Sequence, residues 1–163
     1  MRHLSLSMLC ITLILTSSQC DNEVVLPYGH LKLTVSYPEL VVENDTFYFI
    51  QVPGVGAEAR LYDKDAKCDG YKDAKIDVAW IGNDATYAKY TQVINEIGEA
   101  LFNDIPADKY YLVIYSGQWY RYTEKYVEVN GGDTLNLTKD FTADLTFDKS
   151  LEPWDYVMPT NKR

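Results

Sequence analysis

The sequence is poor in the side chains that perform most nucleophilic chemistry. Its 163 residues include three cysteines and two histidines. His3 and Cys10 lie within the first nineteen residues, so His30 is the histidine left to serve the rest of the chain. A serine or cysteine hydrolase needs a histidine beside its nucleophile, and neither a nucleophile elbow nor a cysteine-protease signature is present. We therefore predict no catalytic residues, no cofactor and no enzymatic activity.

The chain also has no apolar run long enough to cross a membrane. Its longest such run is residues 4–16, whereas a spanning helix needs about 20 apolar residues. Arg2 precedes this run and the small residues Ser17 and Ser18 follow it, which is the layout of a secretory signal. A buried core helix is the alternative, but the run has no polar face. We expect residues 1–19 to be a signal peptide.

Cys20 follows this segment in the stretch "SSQC". The stretch resembles the lipobox of bacterial lipoproteins, although Gln19 stands where Gly, Ala or Ser is usual. With the acidic residues Asp21 and Glu23 after it, it resembles the signals of Bacteroidetes surface lipoproteins. The resemblance implies a lipid on Cys20 that anchors the chain to the outer membrane. The alternative is a secreted or periplasmic protein in which Cys20 could pair with Cys68.

Basic residues are outnumbered by acidic ones, 15 to 24, for a net charge of -9. Such a charge repels phosphate backbones, so we predict that nucleic acid is not a partner. Residues 20–30 are interrupted by Pro27 and Gly29, which indicates a lipidated tether. The remainder, residues 31–163, has the length of one domain.

Strand-like alternation dominates that domain. In "LKLTVSY" (31–37) apolar and polar residues alternate, and "TFYFIQV" (46–52) is rich in aromatic and β-branched residues. Residues 63–77 are polar and without a period, and no segment after the signal has helical spacing. "KYYLVIYS" (109–116) is apolar at both parities, which is typical of a central strand or of one covered by a partner. Short strands and frequent turns predict an all-β sandwich.

The segment "IGEALFNDIPADKYYLVIYS" (97–116) resembles the carboxypeptidase-regulatory-like and transthyretin-like (prealbumin-like) β-sandwich domains. The resemblance rests on Gly98, Ala100, Phe102, Ile105, Pro106 and Tyr110 or Tyr111. It implies a single transthyretin-like or immunoglobulin-like sandwich of about seven to nine antiparallel strands. "KYVEVNGGDTLNL" resembles the family's closing hairpin, whereas residues 63–84 form a long loop insertion where the family has a short connection.

The transthyretin-like hydrolase of the urate pathway shares this architecture. The resemblance to that enzyme implies catalytic histidines, an arginine and a C-terminal Tyr-Arg-Gly-Ser. This chain ends in "MPTNKR", so that activity is not expected.

Three aromatic residues after Gly117 are candidates for ligand binding. Flat rings of Trp119, Tyr120 and Tyr122, if exposed, could stack on a sugar or a protein partner, although filling of the core is the simpler explanation. Trp80 and Trp154 are open to both interpretations.

The nearest approach to a metal site is the trio Asp63, Asp65 and Asp69, which distantly resembles a calcium loop. Lys67 and Ala74 stand where an EF-hand needs oxygen ligands, so we predict a solvated acidic loop and no metal. Cys68 beside Lys67 could be a reactive thiol, but a lone cysteine is more often inert.

These observations predict a noncatalytic lipoprotein that faces the cell surface or the periplasm and acts as a binding or assembly module. The family's frequent company with surface nutrient-uptake systems and adhesins implies a glycan or a cell-surface protein as partner. Two alternatives remain open: a small secreted hydrolase or metal-dependent enzyme that uses loop carboxylates, and a structural envelope or pilus subunit.

Overall fold

The computed structural model describes residues 27–118 and 121–142, and these residues contain ten strands and one short helix. In chain order the elements are β1 (Tyr28–Glu43), β2 (Thr46–Pro53), β3 (Glu58–Asp63), α1 (Tyr71–Lys75), β4 (Val78–Ile81), β5 (Asp84–Tyr87), β6 (Tyr90–Val93), β7 (Glu99–Pro106), β8 (Asp108–Ser116), β9 (Arg121–Val129) and β10 (Thr134–Asp140). Strand β1 begins at Tyr28, three residues before the expected start of the domain. No helix in these ranges is long and apolar enough to cross a membrane.

The first sheet is organised around the long strand β1. Its first half pairs with β10 in parallel and with β7 in antiparallel orientation, and its second half pairs with β2. Strands β7 and β2 lie end to end along one side of β1, because the N–H of Val35 donates to the Gly98 carbonyl and its C=O accepts from Gly54 N–H, both at 2.8 Å. Gly98 turns there with φ of +83°, which suits glycine.

The second sheet has the order β6-β3-β8-β9 and packs against the first. The apolar side chains that alternate along β1 meet those of β3, β7 and β8 between the two layers. Leu31, Leu33, Leu61, Phe102 and Leu112 are at most 2% exposed in this core. The predicted all-β sandwich is confirmed.

Two details differ from the sequence prediction. The described residues contain ten strands rather than seven to nine, and β10 is parallel to its neighbour. The closing hairpin predicted for β9 and β10 is wrong, because the chain leaves the second sheet after β9 and β10 pairs with β1 in the first sheet. The turn after β9 directs this crossing: Gly132 N–H donates to the Tyr28 carbonyl and His30 N–H to the Asp133 carbonyl, both at 2.8 Å.

The insertion, residues 63–84, is more ordered than predicted. It contains α1 and strand β4, and it leads into β5, which pairs with β4. Together they cover the outer face of the second sheet, where a second apolar cluster forms from Tyr62, Ala66, Cys68, Ala74, Ala79, Tyr111, Val113, Tyr115 and Tyr122. The absence of a helix was a wrong prediction. The central position of β8, buried on both faces, is confirmed.

One buried arginine ties this cover to the sheet. Arg60 on β3 is 4% exposed, and its Nη2 lies 2.5 Å from Glu58 Oε2. Its Nε lies 3.5 Å from Asp77 Oδ1, and its Nη1 donates to the Ala74 carbonyl at the end of α1. The guanidinium also lies over the Tyr115 ring, 5.2 Å from its centroid. These contacts hold the insertion in place on the sheet.

Candidate functional site

In the described part of the chain, several exposed apolar side chains lie together on the outer half of the β1–β2 hairpin. We call residues 38–52 the ribbon. Its two strands are joined by Asn44 and Asp45, which have φ of 48° and 62°. Positive φ at both positions is the geometry of a type I′ turn, and its twist matches that of paired strands. The ribbon is therefore a regular two-stranded hairpin.

The two faces of the ribbon differ. On the outer face Leu40 lies directly opposite Phe49, and Val42 lies opposite Phe47. These four side chains are 52%, 57%, 59% and 69% exposed, in the order Leu40, Phe49, Val42, Phe47. They include no charged group. A contiguous exposed apolar patch is a candidate interaction surface.

The opposite face mixes apolar and polar side chains. Glu39 lies opposite Ile50, Val41 opposite Tyr48, and Glu43 opposite Thr46. The Tyr48 hydroxyl donates to Glu43 Oε2 at 3.1 Å. This face is thus partly polar, and the continuous apolar surface is confined to the outer face.

The outer edge of β2 is not paired with any strand in the described ranges. Residues 46–52 contain neither a charge nor a proline, and Pro53 closes the strand at its root. Edge strands are usually protected by charge, proline or a bulge, since unpaired N–H and C=O groups invite another strand. The edge of β2 has none of these protections between Thr46 and Val52.

The root of the ribbon is fixed to the sandwich. The Ser36 hydroxyl lies 2.5 Å from Asp140 Oδ1 and 2.9 Å from Gln51 Oε1. Gln51 Nε2 donates to the Phe141 carbonyl at 3.2 Å, and the Phe141 ring stacks on Tyr37 with centroids 4.7 Å apart. These contacts set the direction in which the ribbon leaves the body.

A second feature is a pocket of about 570 Å³ at the edge of the insertion. It is lined by Asp65, Lys67, Asp69, Trp80, Asn83 and Tyr126, among others. The loop after β3, the β4–β5 hairpin and β9 supply these residues, so the pocket exists only because the insertion folds back on the second sheet.

A buried polar network lies beneath the pocket. The Tyr111 hydroxyl donates to the Glu124 carboxylate and accepts a hydrogen bond from Cys68 N–H at 3.0 Å. Burial, together with the nearby carboxylates of Glu124 and Asp73, raises the pKa of the Cys68 thiol to about 12. The thiol is therefore protonated at neutral pH, and a protonated, buried thiol is a poor nucleophile.

Of the three candidate aromatic residues after Gly117, Tyr122 is the one that the structure describes. Trp119 and Tyr120 lie outside the described residues, as do Trp154 and Cys20. Tyr122 does not offer an exposed ring for stacking: its side chain is 1% exposed and packs in the second apolar cluster, as the core-filling explanation has it. Residues on alternate positions of β9 point to opposite faces, and Tyr122 falls on the covered one.

The three aspartates of the insertion do not share one site. Asp63 forms an ion pair with Lys89, whereas Asp65 and Asp69 line the pocket. Within residues 27–118 and 121–142 no three histidine, cysteine, aspartate or glutamate residues are grouped so as to hold a metal ion. The arrangement thus offers polar groups to a ligand rather than a cation cage.

The sequence matches no known family and no curated protein. Among solved structures, a similar one is that of GBS52, the minor pilin of the Gram-positive pathogen Streptococcus agalactiae. The TM-score is 0.44 and the identity 17%, over 85% of this chain and 48% of that chain. This chain spans about half the length of that pilin, and a likeness this distant assigns no function.

Proposed function

We propose that the protein is a noncatalytic, lipid-anchored surface module that assembles with copies of itself through the ribbon. The observation that supports this proposal is the unprotected, uncharged edge of β2 beside an exposed apolar face. An exposed edge strand gains main-chain hydrogen bonds when another strand is added to it. Burial of the apolar face then adds to the stability of the contact.

The chemistry of the edge favours a second copy as the added strand. Two β2 strands that pair in antiparallel orientation form an isologous, self-limiting contact. Residues 46–52 contain no charge, so like charges do not face each other in this pairing. The net charge of -9 opposes contact between the bodies. Antiparallel pairing places those bodies at opposite ends of the joined strands, about 25 Å apart, where salt screens their repulsion.

The position of the ribbon relative to the proposed anchor supports the same function. Seven residues, 21–27, separate Cys20 from the start of β1, and an extended segment of this length reaches about 25 Å. Strand β1 then continues for 16 residues to the tip of the ribbon, a distance of about 50 Å. In a chain anchored through Cys20 the ribbon lies at the end of β1 far from the lipid.

The proposal is tested by measuring the mass of the chain in solution. Residues 20–163 with the substitution Cys20→Ser avoid the lipid, and light scattering after size exclusion reports the oligomeric state. We expect concentration-dependent self-association, and we expect Phe49→Lys to abolish it because like charges then meet across the new pair. Phe49 is exposed, so this change alters the free energy of unfolding by no more than about 0.5 kcal/mol.

A matched control is Tyr87→Lys, which adds the same charge to an exposed aromatic position on β5, outside the ribbon. This variant should associate as the parent does. A parent chain that is monomeric at every concentration, or a Phe49→Lys variant that still associates, would exclude the ribbon as the assembly site.

The enzymatic alternatives have no comparable support. The Cys68 thiol is protonated at neutral pH, and His30 Nδ1 accepts a hydrogen bond from the Asp104 backbone N–H at 3.3 Å. The structural-subunit alternative coincides with the assembly proposed here.

A further inference from the structure

Two aromatic rings wall the pocket at the edge of the insertion, and both are held in position. The indole of Trp80 is 37% exposed and its Nε1 donates to Asp73 Oδ2 at 2.8 Å. The phenol of Tyr126 is 58% exposed and its hydroxyl donates to the Ala66 carbonyl at 3.2 Å. Rings fixed in this way lose little conformational entropy when a ligand packs on them.

The backbone around the pocket is fixed as well. Lys67 and Trp80 form an isolated antiparallel bridge, with N–H to O distances of 3.0 Å and 2.9 Å in the two directions. The Tyr126 ring rests against Tyr111 with centroids 5.1 Å apart, and Tyr111 belongs to the buried second cluster. The pocket is therefore largely pre-formed, as small-molecule sites usually are.

Polar groups complete the lining. Asp65, Asp69 and Asn83 border the pocket, and none of their side chains forms a hydrogen bond or ion pair with another described residue. Carboxylate oxygens accept hydrogen bonds, and the Asn83 amide both donates and accepts. Lys67 adds an ammonium group. These groups are available to bind a ligand that carries several hydroxyls.

We propose that this pocket binds a neutral pyranose sugar, as a residue of a glycan. A pyranose has an apolar C–H face that packs on an aromatic ring and a rim of hydroxyls that donate to carboxylates. The volume of about 570 Å³ lies within the range of small-ligand sites, about 300–1,000 Å³. Two carboxylates against one ammonium give the pocket a negative balance, which disfavours uronic and sialic acids.

The experiment uses isothermal titration calorimetry on residues 20–163 carrying Cys20→Ser. The probes are maltotriose, cellotriose, mannotriose and triacetylchitotriose, with sialyllactose and trigalacturonate as acidic comparisons. We expect one neutral probe to bind with millimolar or tighter affinity and the acidic probes to bind more weakly. Trp80→Ala and Tyr126→Ala should each weaken binding by about tenfold, because each removes one stacking surface.

Matched variants separate binding from folding. Tyr87→Ala removes an exposed ring of β5 that does not line the pocket, and it should leave the affinity unchanged. Asp73→Ala keeps the Trp80 ring but frees its indole N–H, so it should weaken binding less than Trp80→Ala does. Thermal unfolding of every variant checks that the fold persists.

Two results would overturn the proposal: no heat of binding with any neutral probe, or an affinity that Trp80→Ala and Tyr126→Ala leave unchanged. The pocket does not share residues with the ribbon, so this inference is independent of self-assembly. Phe49→Lys should therefore bind the same sugar as the parent chain.

Discussion

The Glu124 carboxylate is the clearest example of a side chain whose chemistry is set by burial. Burial raises the pKa of Glu124, while the hydrogen bond from Tyr111 and the charge of Lys67 oppose that rise. Burial also raises the pKa of the Tyr111 hydroxyl, and the neighbouring Glu124 carboxylate raises it further, since the ionised phenol would meet a second negative charge. Glu124 thus favours its neutral form more in the folded chain than in the unfolded chain.

This raised pKa makes stability fall as pH rises. Below the ordinary glutamate value of 4.5 both states are protonated and the contribution of Glu124 to stability is fully present. Above it the unfolded chain releases the proton first, so the free energy of unfolding declines until the pH passes the raised folded-state pKa. We expect Glu124→Gln to remove this part of the decline, because a neutral amide still accepts the Tyr111 hydrogen bond.

Urea denaturation across the range above pH 4.5 measures the difference between parent and variant. Other carboxylates titrate there too, and the difference isolates Glu124. The control is Glu128→Gln, the same change at an exposed position of β9 that faces Lys109. Parallel curves for the parent and Glu124→Gln would contradict the predicted coupling.

The insertion between β3 and β6 acts as a cover for the second sheet. Without it the outer face would present Tyr62, Tyr111, Val113 and Tyr115 to water, and each is now at most 8% exposed. Apolar surface costs about 25 cal/mol for each square ångström exposed. The insertion is therefore part of the folded unit and not an appended loop.

Replacing residues 64–88 with a short glycine-containing turn should unmask this face. We expect the variant to bind an apolar fluorescent dye, to aggregate and to unfold at lower urea concentration than the parent. Asn83→Gly, a change in the β4–β5 turn that keeps the cover in place, is the control. A shortened chain that remains monomeric, as stable as the parent and free of dye binding would show that the sheet needs no cover.

Alternation along the chain was enough to predict the strands that face one core and the turns between them. The β7–β8 segment followed the pattern that the family resemblance implies: Gly98 turns, and Ala100, Phe102 and Ile105 are buried. The Tyr110 hydroxyl also donates to the Pro106 carbonyl at 2.8 Å. Local residue chemistry was enough to assign the turn residues Gly98 and Pro106, whereas the buried positions were implied by the resemblance.

Three structural features could not be predicted from the sequence pattern, each for a physical reason. Helix α1 has five residues, too few for a helical period to be visible. The strand "TFYFIQV" has apolar residues at both odd and even positions. This pattern does not distinguish a strand buried on both faces, such as β8, from an exposed strand, such as β2. The pairing of β10 depends on a tertiary contact, because its turn hydrogen-bonds to the start of β1.

At the scale of the whole molecule, the long strand β1 connects the start of the described chain to the core and to the ribbon. Strand β1 begins at Tyr28, inside the segment predicted as a tether, contributes Leu31, Leu33 and Val35 to the core and ends in the ribbon. The proposed anchor at Cys20 would fix one end of this axis at the membrane.

In a bacterial host that processes lipoproteins, we expect the full chain in the membrane fraction. The measured mass of the mature protein should equal that of a chain that begins at Cys20 plus the mass of the attached lipid. Cys20→Ser should move the protein out of that fraction, because the substitution removes the thiol to which lipid is attached. Cys68→Ser, which changes a buried cysteine of the folded domain, is the matched control and should stay with the membrane. A Cys20→Ser protein that remains in the membrane fraction would contradict lipid anchoring.

The length of β1 also has a mechanical consequence. Its register runs without interruption from His30 to Ser36 against β10 and from Ser36 to Glu43 against β2. A tension applied between the start of β1 and the tip of the ribbon is directed along the strand. The covalent backbone of β1 therefore carries it, and the inter-strand hydrogen bonds, which lie across the strand axis, are not peeled open one at a time. If the chain is anchored and assembled as proposed, a pull from a neighbouring copy would reach the anchor through a single β-strand.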